Sequence, residues 1–361
     1  MMEKVQAFAM KSEYKKRESC IMKKTKKALA LILAGMMAAS MTACGSGKTA
    51  DTTAAESADG TKAETSADGA SYKVGICQLV QHVALDAATE GFKDALTEAL
   101  GDQVTFDEQN AQGDSNTCST IINNFVAEDV DLILANATPA LQAAQAGTDT
   151  IPVLGTAVTE YGVALGIDDF NGTVGGNISG TADLAPLNEQ AAMLKELFPD
   201  AKNVGLLYCS AEANSQYQVD TVKAELEKLG YTCEYYAFSD SNDLATIVTN
   251  AANSSDVIYI PTDNTAAANT EIINNICQPA GVPIIAGEEG ICSGCGVATL
   301  SISYYDLGVA TGKMAAKILT GESNISEMPI EYAPQFTKKY NKTICEALGV
   351  TVPDDYVAIE E

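Results

Sequence analysis

The sequence predicts an α/β protein built as two similar, doubly wound, Rossmann-like lobes, and three observations carry that prediction. From Tyr72 onward, short β-branched runs alternate with helical stretches, as parallel α/β units require. Three of those runs return in the second half of the chain. Val74–Leu79 is echoed by Val204–Cys209, Asp131–Ala135 by Asp256–Ile260, and Ile151–Leu154 by Val282–Ile285, each time about 130 residues later, a spacing that points to a duplicated unit. Finally, the runs end in polar or small residues where a loop begins, as in Asn136-Ala-Thr-Pro139 and its echo Pro261-Thr-Asp-Asn264. Ligands of such sheets bind outside the carboxyl ends of the strands. Two facing lobes therefore place two sets of strand-end loops across one cleft.

Ahead of the first lobe stand a leader and a tether. Lys23, Lys24, Lys26 and Lys27 form a basic patch, followed by a mostly apolar run from Ala28 to Ala39 that is too short to span a bilayer. Met41-Thr42-Ala43-Cys44-Gly45 then resembles the lipobox of bacterial lipoproteins, with methionine in place of the usual leucine. The resemblance implies a signal peptide over residues 1–43, cleavage before Cys44, and a diacylglycerol on its sulfur. Residues 1–21 fit no part of such a signal, so Met22 is the expected true start. Residues 44–71 contain no large apolar side chain and are expected to be a flexible tether, with an r.m.s. reach of roughly 30 Å.

Composition narrows the function. The chain of 361 residues carries 22 Lys+Arg against 48 Asp+Glu, a formal net charge of −26. Such a surface repels phosphate backbones and excludes nucleic acid as a partner. The single arginine, Arg17, lies in the leader, so no guanidinium is available to grip a carboxylate in the mature body. An anionic ligand group must be met by backbone N–H groups, hydroxyls, lysine or the lone histidine. Tryptophan is absent, which removes the indole platform of many sugar sites.

Within the body, Gln78-Leu-Val-Gln-His82 with Leu85-Asp86, Gly91-Phe-Lys93, Asn110-Ala-Gln-Gly113 and Ala137-Thr-Pro139 with Gln142-Ala143 come in order, followed by Glu212-Ala-Asn-Ser215, Pro261-Thr-Asp-Asn264 and Tyr304-Tyr-Asp-Leu-Gly308. This ordered set, spanning roughly Tyr72 to Gly321, resembles the tryptophan/tyrosine-type family of ABC importer substrate-binding proteins. Val158-Thr-Glu-Tyr161 departs from that family's usual Val-Thr-Asp-Pro. The resemblance implies the type I periplasmic-binding fold, with three crossovers between lobes. The N-terminal lobe is expected over 72–180 plus 298–321, and the C-terminal lobe over 181–297 plus 322–361. It further implies an extracytoplasmic receptor, a monomer that hands an amino acid with an aromatic or bulky apolar side chain to an ABC permease and its ATPase.

Each candidate contact has a competing structural role. Leu79, Gln81 and His82 follow the first strand run, and Asp86 begins the next helix, where the helix dipole alone favours an acid. Thr138 lies at a strand-to-helix turn, both an N-cap position and an anion site. Its counterpart is Ser215, with Glu212 and Asn214. Both turns are expected to hold the ligand carboxylate. Asp263 and Asn264 read either as a turn or as partners for a ligand ammonium, and Glu288 and Glu289 form a second acidic pair at an equivalent place. Tyr304 falls near a return between the lobes, as pocket wall or hinge packing.

Cys292-Ser-Gly-Cys295 has redox spacing but no second pair to close a zinc site, and is expected to be a short-loop disulfide or two buried thiols. No cofactor, metal or catalytic triad is expected, since one histidine leaves few triads to write. The leading reading is ligand capture by hinge closure of the two lobes. A sensor that presents its ligand to a chemoreceptor, a nucleoside or sugar receptor of the same fold, and a thiol enzyme using Cys292 and Cys295 are the alternatives.

Overall fold

The structure, a computed structural model, describes residues 71–360. The leader, Cys44 and the tether lie outside the described residues.

The first sheet collects β1 (Tyr72–Gln78), β2 (Val104–Asn110), β3 (Leu132–Asn136), β4 (Val153–Val158) and β5 (Ile178–Ala182), with α1 (Val83–Leu100), α2 (Ser115–Ala127), α3 (Thr138–Gly147) and the short α4 (Tyr161–Leu165) between them. The chain then passes to the second sheet through α5 (Leu187–Leu197). There follow β6 (Asn203–Cys209), α6 (Ala213–Lys228), β7 (Thr232–Phe238), α7 (Ser241–Ser254), β8 (Val257–Ile260), α8 (Asn264–Ala267), α9 (Thr270–Ala280), β9 (Ile284–Ala286), α10 (Glu289–Cys295) and β10 (Ala298–Ser301). It returns to the first lobe as α11 (Tyr304–Leu319) and β11 (Glu331–Tyr332), then ends in the second with β12 (Thr337–Tyr340), α12 (Lys342–Leu348) and β13 (Val357–Ala358).

The strand orders are β11-β5-β4-β3-β1-β2 and β13-β12-β10-β9-β8-β6-β7. Over their common five strands the two sheets share one topology, so the threefold echo in the sequence is a duplicated doubly wound unit. Both sheets reverse direction beside their first strand, between β1 and β3 and between β6 and β8, the points where such sheets open a crevice. The central strands β3, β4 and β8 are buried at every position, as parallel strands covered by helices on both faces must be.

Three expected boundaries need correction. Ala298–Ser301, assigned to the first lobe, pairs with β9 and β12 in the second sheet. Thr181–Ala182, assigned to the second lobe, completes β5 in the first and pairs with Glu331–Tyr332, which were also assigned to the second. In each case the strand finishes its hydrogen-bond ladder before the chain crosses over, because an unpaired strand end would leave backbone groups unsatisfied.

Helices α1 and α11 pack backbone to backbone. A Cβ at Gly308 would lie 2.0 Å from the carbonyl oxygen of Ala88, and one at Gly91 would lie 2.1 Å from that of Tyr305. No side chain fits at either point. α11 is thereby locked to the first lobe although both ends of its segment cross to the second.

Candidate functional site

The turns after β1, β3, β6 and β8 converge where the two sheets face each other. Leu79 is buried at the end of β1, where its N–H donates to the carbonyl of Asn136 and its own carbonyl accepts from Gly113. Thr138 is the first residue of α3 and is buried. It follows Ala137, whose φ of 90° is left-handed for a residue with a Cβ. Strain of this kind costs about 1–3 kcal/mol and is held only where surrounding packing dictates it.

From these turns a belt of hydrogen-bonded polar side chains runs across the interface. At one end, His82 Nε2 lies 3.2 Å from Asn264 Oδ1, bridging first lobe to second. Asn264 in turn donates from Nδ2 to Glu212 Oε2 at 2.6 Å, which orients its amide and makes Oδ1 the acceptor. His82 Nε2 therefore carries the proton, and Nδ1 is left as a buried acceptor without a partner. Burial holds the imidazole below its usual pKa against the opposing pull of Asn264, Glu212 and Asp86. Glu212 also accepts from the N–H of Asn264, and from the N–H and hydroxyl of Thr265.

Asn214 donates to Thr262 O at 3.0 Å, and Gln218 fixes the same turn by donating to Thr262 O and accepting from Thr262 N. The hydroxyl of Thr262 meets Tyr304. Tyr304 then donates to Asp183 Oδ2 at 2.9 Å. Asp183 sits just past β5, 3% exposed, and the hydroxyl of Thr159 also favours its charged form. A bulge in β4 between Gly155 and Val158, with Ala157 at φ 51°, turns Thr159 toward it. Asp183 Oδ1 has no partner, and neither has the buried Oδ1 of Asn214. Burial raises the pKa of Asp183, which the hydroxyls of Tyr304 and Thr159 offset only in part.

The unpartnered atoms of this belt are all acceptors, and its charged members are carboxylates. Among the described residues no lysine joins it. What the belt lacks is a cationic donor.

Several acids named from the sequence serve the protein itself. Asp263 is not the free carboxylate the turn suggested: it accepts from Cys209 N at 2.7 Å and Ala266 N at 2.8 Å, and from the hydroxyl of Ser215. Burial and the neighbouring Glu212 push its pKa up to about 7. Glu288 caps α10 by accepting from Gly290 and Ile291, and burial raises it to about 7 as well. Glu289 is ion-paired with Lys339 at 2.6 Å. Gln81 and Asp86 line a separate depression of about 330 Å³ built from the first lobe alone.

The helices that begin after β8 and β9 thus carry carboxylate caps. Those that begin after β1 and β3, α1 and α3, have no side-chain cap. Their first N–H groups remain open to an anion.

Sequence reasoning did not find Thr159, Asp183, Thr262 or Gln218. Asp183 left one signal, an acid directly after the small-residue strand Ile178–Ala182 at the expected first crossing. A cavity of about 540 Å³ between the lobes is lined by Leu79, Asp114 and Pro139 from one side and Glu212, Asp240 and Thr265 from the other.

Residues 73–360 match the family of ABC transporter substrate binding proteins. A tyrosine-binding protein of Clostridioides difficile is 34% identical over 332 residues, covering 91% of this chain and 93% of that one. Among solved structures, an ABC domain from Streptococcus pneumonia in complex with L-Trp is 34% identical, with a TM-score of 0.75 over 79% of this chain and 96% of the other. A ligand-free, open substrate-binding protein from Clostridium difficile is 36% identical over 80% and 99%, yet its TM-score is 0.61. Coverage and identity are nearly equal, so this chain matches the L-Trp complex more closely in shape than it matches the ligand-free, open structure.

Proposed function

Since the chain belongs to the ABC transporter substrate binding protein family, we propose that it captures an α-amino acid with an aromatic side chain between its lobes and hands it to an ABC permease. The ligand ammonium is met by Asp183, braced by Tyr304 and Thr159. The ligand carboxylate is met by the open N–H groups of α1 and α3 and by the hydroxyl of Thr138, in a body that has no arginine for the task. His82 and Asn264 latch the lobes over the bound ligand, with Glu212 holding Asn264 in place.

The observation that carries this reading is the unpartnered Oδ1 of Asp183. A buried carboxylate lacking a counter-ion is costly, and a ligand ammonium supplies both the charge and the donors. The aromatic side chain rests on the relatives, one named for tyrosine and one crystallised with L-Trp.

Receptors of ABC importers work outside the cytoplasm. Here we assign the tether to a lipid on Cys44, which fatty-acid labelling of the exported chain, lost on Cys44→Ala, will test. The ligand assignment is tested by thermal shift on the full chain against the twenty amino acids, nucleosides and simple sugars. Tyrosine, tryptophan or phenylalanine should raise the melting temperature further with each increase in concentration, as ligands that bind only the folded form do. A shift with sugars or nucleosides and none with amino acids would overturn it.

A further inference from the structure

The CxxC that stands out in the sequence is two free, buried thiols one turn apart in α10, with the Cys295 thiol donating to the carbonyl of Ile291. A group of buried hydroxyls has more to do with the cleft, because it stands directly behind Asp183. Tyr161, the first residue of α4, is 1% exposed, and its ring lies against that of Phe170 with centroids 6.5 Å apart. Its hydroxyl enters a slot between β4 and β5 that two glycines leave open. A Cβ at Gly155 or at Gly180 would lie 2.4 Å from the Tyr161 oxygen, and Gly180 has a φ of 145°, which side chains with a Cβ rarely adopt. From that slot the hydroxyl donates to the carbonyl of Thr181 at 3.1 Å. Thr181 lies opposite the bulge in β4, where the register passes from Gly155 with Gly180 to Val158 with Ala182. A bulge disrupts its ladder locally, and here the tyrosine ties the strand end down from α4.

The side chain of the same residue is held from two more elements. Thr181 Oγ1 lies 2.8 Å from Thr311 Oγ1 on α11 and 3.2 Å from Thr156 Oγ1 on β4, and those two oxygens are themselves 3.2 Å apart. All three threonines are fully buried. Tyr304 and Thr311 stand two turns apart on α11 and so share one face of it. Thr311 holds Thr181, and Tyr304 holds Asp183 two residues later through its 2.9 Å hydrogen bond. The N–H of Asp183 donates to the carbonyl of Val158 at 3.3 Å, closing the ladder beyond the bulge.

We propose that Tyr161 is a positioning residue for the ligand ammonium: with Thr156 and Thr311 it fixes the end of β5, and so the direction in which Asp183 presents its free oxygen. This rests on the assignment of Asp183 to the ammonium. The Tyr161 hydroxyl is committed to Thr181 and does not touch the ligand. A binding group has to be held within about 0.5 Å of its productive place by side chains that are themselves immobile. Asp183 stands where the chain leaves the sheet for the second lobe, a place with freedom to move. The four hydroxyls remove that freedom before ligand arrives, which leaves less to be ordered on binding.

The test is a cycle of Tyr161→Phe and Asp183→Asn in the full chain, read by calorimetric titration with L-tyrosine and with L-tryptophan. Tyr161→Phe keeps the ring and its stacking and removes one hydroxyl. It should weaken binding by about 3- to 10-fold, the scale of one hydrogen bond, and should have no effect once Asp183 is replaced. A purely structural role would lower the melting temperature of the unliganded protein and leave the affinity alone. Thr311→Val and Thr311→Ser form a second pair: the valine should weaken binding and the serine, which keeps the hydroxyl, should restore it. Unchanged affinity in Tyr161→Phe, or an equal loss with and without Asp183, overturns the inference and leaves Asp183 in the site. Should Tyr161→Phe not fold, wild-type affinity in Thr311→Val overturns it in the same way. Wild-type affinity in Asp183→Asn alone overturns the ligand assignment, and this inference with it.

Discussion

Asp183 is where recognition and stability pull in opposite directions. Its carboxylate is buried with a single free oxygen, so Asp183→Asn removes a charge that the empty protein holds at a cost. Calorimetric titration should show amino-acid affinity falling by at least about 100-fold, since a buried charged partner is lost. The unfolding midpoint of the unliganded variant should stay level or rise. An unchanged affinity would remove Asp183 from the site. The buried acids also set a pH dependence. Asp183, Asp263 and Glu288 all have folded-state pKa values above their unfolded ones, the last two at about 7. Their stabilising contribution is complete below the unfolded values of about 4 and is lost as pH rises above them, through about 7 for Asp263 and Glu288. His82 acts in reverse: its folded pKa is lowered, so acid below about 6.5 weakens the fold through that one group. Three carboxylates outweigh one imidazole, and scanning calorimetry of the unliganded protein should give a higher melting temperature near pH 5.5 than near pH 8. A higher value at pH 8 would mean these carboxylates are ionised and paired in the fold.

At the scale of elements, the contact between α1 and α11 is the most demanding in the first lobe. Gly308→Ala drives a methyl group onto the carbonyl of Ala88, and overpacking of this kind costs typically about 1–3 kcal/mol. Denaturant titration should show that loss with the m-value retained; a neutral outcome would mean the helices can part freely. The same pair shows what the sequence made legible. Gly91 and Gly308 were visible as motif residues, but only the packing explains why they are glycines. The strand runs and their echo were readable because parallel strands covered on both faces leave an unbroken apolar signal, as in Leu132–Asn136 and Val257–Ile260. The two-residue strands β11 and β13 were not, since nothing so short has a period, and β10 was assigned to the wrong lobe because its own residues do not say which sheet edge is nearer. Among the site residues, those on strand-end turns could be named from their position. Whether a carboxylate is free could not: Asp263 and Glu288 are occupied by N–H groups one turn along their own helices, whereas Asp183 is left open by a bulge in a neighbouring strand.

For the molecule as a whole, the two lobes are held in this arrangement by few direct links, among them His82 to Asn264 and Tyr304 to Thr262. Without ligand these face a belt of unpaired acceptors, which favours opening. Small-angle scattering should therefore give a larger radius of gyration for the empty protein than for this arrangement, and a contraction on adding the aromatic amino acid that the thermal panel selects. Identical profiles with and without that ligand would remove hinge closure from the account. The locked helix α11 decides how such a movement is made. Because close packing ties it to α1, the bending of such a movement is expected at Ile302–Ser303 at one end and at Ala333–Phe336, which contains Pro334, at the other. Lengthening either link by a residue would alter the arc of the swing without touching any atom that meets a ligand, so the rate of gating and the choice of cargo can drift apart under selection.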